Sequence, residues 1–169
     1  MTEFPNTPDH LAALAELDAL LRRRGVDYWL FGGWAVDFHV GRVTRAHGDI
    51  DVAVWLGDHR RVTRLLGGRA WVHRPEAGED GYTCYQRGGV RLEVAFLTRD
   101  EAGRVYTPLR DGRGEWPDGA FGDDVAKLRG VRARVMARDA LIADKSAGRA
   151  DPVTAAKDRA DIETLAGGA

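Results

Sequence analysis

Residues 49–56, DIDVAVWL, alternate without a break. Successive side chains of a strand point to opposite faces, so Ile50, Val52, Val54 and Leu56 share one side and Asp49, Asp51, Ala53 and Trp55 the other. One face is core, and the other carries two carboxylates close together. In a folded protein such a pair repels itself unless a cation lies between its members. Hard divalent ions such as Mg2+ take carboxylate oxygens and keep positions open for phosphate oxygens. Asp49 and Asp51 are therefore candidate metal ligands, although an isolated pair of this kind can equally face solvent at a strand end.

The segment just upstream supplies a second element of a site. VDYWLFGG reads as a short buried strand ending in Gly32 and Gly33, and WAVDFHVG as a short helix closed by Gly41. A glycine pair between a strand and a helix start leaves backbone N–H groups and the positive end of the helix dipole open to an anion. Neither the Walker pattern nor the dinucleotide fingerprint occurs, so the chain follows neither of those phosphate-binding designs.

Elsewhere, TPDHLAALAELDALLRRRG reads as an amphipathic helix and DHRRVTRLLGG as another helix ending at glycines. AWVHR reads as a short strand, PEAGEDG as an acidic turn-rich loop, and YTCYQRGGVRLEVAFLT as a hairpin turning at Gly88 and Gly89. In its second arm Arg91, Glu93 and Ala95 share the polar face, which makes Glu93 a lone carboxylate on a strand. Residues 110–125, rich in Gly, Asp and Pro, read as a loop or irregular edge. GVRARVMARDALIADKSAG reads as a strand and then a helix carrying Lys145, and DPVTAAKDRADIETLAGG as a capped helix with Pro152 in its first turn. These elements imply an α/β (α+β) fold, with a mixed sheet flanked by helices. One domain over residues 1–169 is expected, ending in a helical segment from residue 137.

With 25 Lys and Arg against 26 Asp and Glu, the net charge of −1 gives no global field for nucleic acid. Cys84 is the single cysteine, which excludes an internal disulfide and a multi-thiolate metal site. The N-terminus has no basic start followed by an apolar run, and no later run is long enough to span a bilayer. A cytoplasmic protein without a membrane segment is expected. Lysine occurs only at 127, 145 and 157, so a lysine near a site deserves scrutiny.

The pieces GGWAVD at 32–37, GRVTR at 41–45 and HGDID at 47–51 together resemble the DNA polymerase beta type nucleotidyltransferase superfamily. Within it they are similar to the small nucleotidyltransferases that modify aminoglycoside and lincosamide antibiotics. The resemblance implies a polymerase-beta-like fold and transfer of a nucleoside monophosphate, usually AMP, from ATP or another nucleoside triphosphate to a hydroxyl. It implies that Asp49 and Asp51 hold Mg2+, two ions in this reading, with Glu93 as third ligand and general base where the family more often has aspartate. Gly32 and Gly33 would cradle phosphate. Arg42 and Arg45 would bind phosphate or support the loop, and Lys145 matches a lysine the subfamily often carries near the triphosphate. Lys157 fits the K-D-x-x-D-I pattern of the lincosamide branch or a solvated helix face. His47 is expected to hold the turn by a hydrogen bond, and Trp34 to pack behind the glycines.

The acceptor implied is a small molecule, an aminoglycoside or lincosamide, with the protein a monomer or homodimer. Glu76, Glu79 and Asp80 in one loop, and Asp118, Asp123 and Asp124 in another, could bind a polycation or be ordinary solvated loops. The competing function is a protein- or tRNA-modifying nucleotidyltransferase of a toxin–antitoxin pair, for which LRGVRARVMAR would be the basic surface. Those minimal enzymes usually have Gly-Ser where this chain has Gly33-Trp34.

Overall fold

The computed structural model describes residues 3–168; the two N-terminal residues and Ala169, which the single-domain expectation includes, lie outside the described residues. Five helices and nine strands are present among them. Helix α1 (Thr7–Arg23) has Pro in its first turn and Arg22 and Arg23 in its last, where cations complement the helix dipole. It buries Leu11, Leu14, Leu17 and Leu21. Strand β1 (Tyr28–Phe31) runs directly into α2 (Gly32–Val40), so the helix begins at the glycines, two residues earlier than the Trp34 start expected.

Strand β2 (Ile50–Trp55) follows, then a 3-10 turn, α3 (His59–Gly67) and β3 (Val72–His73), of which only two residues of the expected AWVHR strand pair. The hairpin β4 (Tyr82–Arg87) and β5 (Val90–Arg99) turns at Gly88 and Gly89 as expected. The main sheet is mixed and has seven strands. Its order is β1-β2-β5-β4-β3, with β6 (Val105–Leu109) and β7 (Gly112–Glu115) continuing from β5. The β2–β5 pair is parallel and its neighbours β1–β2 and β5–β4 are antiparallel.

Two differences from the sequence reading concern residues 110–128. The expected loop contains β7, because the Leu109↔Gly112 pair closes a tight turn at Arg110 and Asp111, and Gly112 takes a positive φ of 108°. Asp-Gly there is a hairpin signal embedded in a glycine-rich stretch. Strand β8 (Val125–Leu128) was not anticipated; it pairs with β9 (Val131–Arg134) through Arg129 and Gly130, both with positive φ. The chain ends in α4 (Arg138–Ser146) and α5 (Pro152–Gly167), the latter capped by Asp151, whose side chain accepts from Thr154 N at 2.7 Å.

The two faces of the sheet have different roles. Leu30, Ile50, Val52, Val54, Leu92 and Val94 pack against the helices in the main core. On the opposite face Trp29, Ala53, Ala95 and Leu97 form a small second cluster, with Phe31, Trp116 and Phe121 against it. The paired alanines Ala53 and Ala95 leave that face shallow where it adjoins the carboxylates. Among the described residues no helix is long and apolar enough to cross a membrane.

Leu92 is fully buried opposite Ile50, at the first pair of the parallel ladder and next to the acids. Leu92→Ala is expected to destabilise the protein by about 2–5 kcal/mol through a cavity under the site. Urea unfolding should show a lower midpoint with an unchanged slope.

Candidate active site

The parallel register fixes the site. Asp51 pairs with Glu93, and across the sheet Phe31 lies beside Asp51 and Cys84 beside Glu93, so one rank of the outer face reads Phe31, Asp51, Glu93, Cys84. One step earlier, before the first ladder pair Ile50↔Leu92, lie Asp49 and Arg91. Ligand oxygens of Asp49, Asp51 and Glu93 all fall within 4.8 Å of one another. Three hard oxygen donors on half-buried side chains, without sulfur or imidazole, fit a cation such as Mg2+. Burial, followed by the charges of Asp49 and Glu93, pushes the Asp51 carboxyl well above its usual range. Burial likewise raises Glu93, with Asp49 and Glu76 adding to it and Arg91 opposing it. Asp51 has no hydrogen-bond donor among the described residues, so a bound cation would relieve this repulsion directly.

The glycine turn abuts the carboxylates. Gly32 has a φ of +67°, and a Cβ there would collide with the Asp51 carboxylate. At Gly33 a Cβ would strike the Arg45 guanidinium and lie 2.8 Å from His47 Nδ1. Both positions therefore require glycine for space, and Gly32 also for its backbone conformation. Behind them the remaining fragments of the motif interlock. Asp37 is fully buried and accepts from Thr44 N at 3.2 Å and Thr44 Oγ1 at 2.5 Å. His47 Nε2 lies 2.6 Å from Asp37 Oδ2 and His47 Nδ1 3.2 Å from Arg45 Nη1. Because Arg45 can only donate, the network assigns the proton to Nε2, which donates to Asp37. His47 thus holds the turn, as expected. Trp34 packs beneath its ring at 4.4 Å and donates from Nε1 to His10 Nδ1 at 3.0 Å.

A cationic wall faces the acids across a cleft of about 450 Å3. Lys145, 7% exposed, bonds Asp158 Oδ1 at 3.1 Å and Asp161 Oδ2 at 2.9 Å. Arg45 Nη2 pairs with the same Asp161 Oδ2 at 3.1 Å. Burial would raise the Asp161 carboxyl, but the bonds from Arg45 and Lys145 outweigh it and hold the group below its usual range. Both helices after the sheet therefore serve this wall: α4 brings Lys145, and α5 brings the acids that fix it.

Of the residues singled out in the sequence, Gly32, Gly33, Arg45, Asp49, Asp51, Glu93 and Lys145 all line this cleft, together with the exposed Lys157. Arg42 is not brought to it. Gly41, with φ +72°, ends α2 and turns the chain, leaving Arg42 exposed in a separate hollow with Phe4 and Thr164. The acidic loops are largely engaged internally. Glu79 Oε1 accepts from the Glu76 and Cys84 backbone, Asp80 accepts from Arg110 N, and Asp123 pairs with Arg134. Cys84 is a buried strand residue, as expected, its thiol pushed up to about 11 by burial. Sequence reasoning assigned no role to Asp158 and Asp161, although the K-D-x-x-D-I pattern contains both.

A mixed sheet that presents an in-register pair of acids, with a third beside them, to a glycine turn at a helix start is a nucleotidyltransferase fold. It superposes on the lincosamide antibiotic adenylyltransferase LnuA, crystallised with lincomycin, at a TM-score of 0.72 and 18% identity, over 92% of this chain and 96% of that one. It superposes on ANT(2'')-Ia in complex with adenylyl-2''-tobramycin at 0.71 and 20% identity, over 93% and 87%. The family model for aminoglycoside-2''-adenylyltransferase matches residues 13–164, and the chain belongs to that family. A 2''-aminoglycoside nucleotidyltransferase of Escherichia coli is 43% identical over 49 residues, and one from Klebsiella pneumoniae matches to the same extent. Each match spans 27% of this chain and only 28% of the relative's length.

A carboxyl raised in the folded state binds more protons there than when unfolded. Its stabilising contribution is present below the unfolded value, about 4, and is lost as pH rises through the folded value. The contribution of Asp51 to metal-free stability should therefore be lost as pH climbs out of the acid range, and Asp51→Asn should lack that share of the pH dependence, while the raised Glu93 and the lowered Asp161 act alike in both proteins. At pH 7 in chelator, Asp51→Asn is expected to melt above wild type. The gap should close near pH 4, and Mg2+ should raise the wild-type midpoint and leave that of the variant nearly unchanged, as scanning calorimetry will show.

Proposed function

We propose that this chain transfers a nucleoside monophosphate, AMP in our reading, from a nucleoside triphosphate to a hydroxyl of an aminoglycoside or lincosamide antibiotic. The observation that carries the proposal is the in-register pair Asp51 and Glu93, joined by Asp49 within 4.8 Å and opening onto the Gly32–Gly33 turn and Lys145. Asp49, Asp51 and Glu93 would hold Mg2+, two ions in this reading, which would neutralise triphosphate charge and lower the pKa of the acceptor hydroxyl. The backbone N–H groups of the glycine turn and the α2 dipole hold phosphate oxygens. Lys145, kept in place by Asp158 and Asp161, reaches the triphosphate from the opposite wall, and Arg45 supports the turn. Glu93, which lines both the acid cleft and the adjoining hollow, takes the proton of the acceptor hydroxyl. The hydroxyl oxygen bonds to the α-phosphorus, the bond from that phosphorus to the bridging oxygen breaks, and pyrophosphate leaves.

The acceptor end is best matched by a hollow of about 270 Å3 adjoining Glu93, where Phe31 and Trp116 supply aromatic faces and Glu115 and Asp144 supply carboxylates that are paired with Arg113 and Arg149. Carboxylates suit the ammonium groups of an amino sugar and an aromatic face suits its ring. Ammonium groups entering there would replace these arginines at the carboxylates, and the name of the matching family favours the aminoglycoside over the lincosamide. Two arginines of the basic surface that a tRNA acceptor would use are already paired: Arg132 with Asp18 at 2.6 Å, and Arg134 with Asp27 at 2.7 Å and Asp123 at 2.9 Å.

Mass spectrometry of reactions with Mg2+, each of the four ribonucleoside triphosphates and a panel of aminoglycosides and lincosamides tests the proposal. A nucleotidyl adduct on an aminoglycoside, lost in Asp49→Asn, is expected; a nucleotidyl adduct on the protein or on tRNA instead would refute the assigned acceptor. Glu93→Gln should lower kcat by about 10²–10⁴-fold with triphosphate affinity nearly unchanged. Near-normal turnover at saturating substrate would remove Glu93 from the proton-transfer role.

A further inference from the structure

We propose that Arg91 is the resident counter-ion of the acidic site: it bridges Asp49 and Glu93 while no metal is bound, and passes to Glu76 when a divalent cation enters. The inference rests on the metal-binding reading of Asp49, Asp51 and Glu93 given above. Arg91 stands two residues before Glu93 on the same face of β5 and beside Asp49 in the parallel register. Its Nη1 donates to Asp49 Oδ2 at 2.7 Å, and Nη1 and Nη2 both lie 3.5 Å from Glu93 Oε2. A metal ion held by these two carboxylates competes with the guanidinium for their oxygens.

The alternative partner is already in contact. Nη2 lies 3.1 Å from both Glu76 oxygens and Nε 3.2 Å from Oε1, so Glu76 receives the planar fork of the guanidinium. Nη2 also lies 3.0 Å from Cys84 Sγ. Glu76 sits in the acidic loop before β4, its side chain 47% exposed, and it is not among the three clustered acids. Arg91 therefore divides its donors between two ligand carboxylates and one carboxylate outside the cluster. Movement by a fraction of a side-chain length releases Asp49 and Glu93 and leaves the guanidinium paired. Without this residue, three carboxylates would face one another with no cation from their own strands. With it, the metal-free protein is held together and a metal must displace a bound charge to enter. Arg91 is thus a positioning residue for the metal ligands.

The test measures Mn2+ binding to the full chain, without nucleotide or drug, by the electron paramagnetic resonance signal of free Mn2+. Arg91→Met is expected to bind Mn2+ about tenfold more tightly than wild type and to melt lower in chelator. Glu76→Gln should bind it about threefold more weakly, because Arg91 then has nowhere else to pair. In the Arg91→Met background the Glu76→Gln substitution should have little effect, since Glu76 acts through Arg91 and its exposed charge is screened by salt. Arg91→Lys keeps the charge but not the fork, folds without an unpaired carboxylate cluster, and is expected to fall between wild type and Arg91→Met. Unchanged or weaker Mn2+ binding by Arg91→Met and Arg91→Lys overturns the proposal, as does an equal Glu76→Gln effect in both backgrounds. Failure of the wild type itself to bind Mn2+ is a separate result, which overturns the metal site and this inference together.

Discussion

The parallel pairing of β2 with β5 sets two carboxylates side by side, and much of the rest of the molecule compensates for that. Parallel neighbours cannot be joined by a tight turn, so the chain leaves β2 through α3, β3 and β4 before returning as β5. In that return β4 becomes the antiparallel partner of β5 and stabilises its register over six residue pairs. A slip of one residue would place Leu92 or Val94 beside Asp51 and send Glu93 toward the helix-covered core, which apolar packing forbids. The hydrophobic face of the sheet thereby maintains the electrostatic arrangement on the other face.

The cations of the site are positioned by a different means. Lys145 and Arg45 are long side chains with many rotamers, and each is held by α5 acids, with Asp161 common to both. The ordering cost of these side chains is thus met within the fold and need not be met again when an anion arrives. The same logic applies under the glycine turn, where Asp37 collects Thr44 and His47 and gives the GRVTR segment a defined shape without regular secondary structure.

The sequence was most legible where function is encoded locally. The alternation of residues 49–56 and the glycine pair located the acids and the turn, and the alternation of the hairpin's second arm located Glu93. Arg91 was visible on that same face, but its partner Asp49 comes from 42 positions earlier, and only the β2–β5 register brings the two together. Arg42 and Arg45 could not be told apart, because their directions depend on a non-periodic turn after Gly41. Asp158 and Asp161 have helical spacing but gain their role only from the packing of α5 against α4. Strands β6, β7 and β8 escaped notice because none exceeds five residues and their patterns are interrupted by proline, glycines or charges.

The two walls of the cleft are also separated in the order of synthesis. Arg45 finds its partner Asp161 only 116 positions later, and Lys145 finds Asp158 across the turn between the last two helices. A ribosome that has delivered every residue through β9 has made the acids, the glycine turn and the sheet that aligns them, yet neither Lys145 nor its anchors. Translation thus completes the acids, the glycine turn and their sheet before it supplies Lys145 and the two α5 acids that hold Lys145 and Arg45.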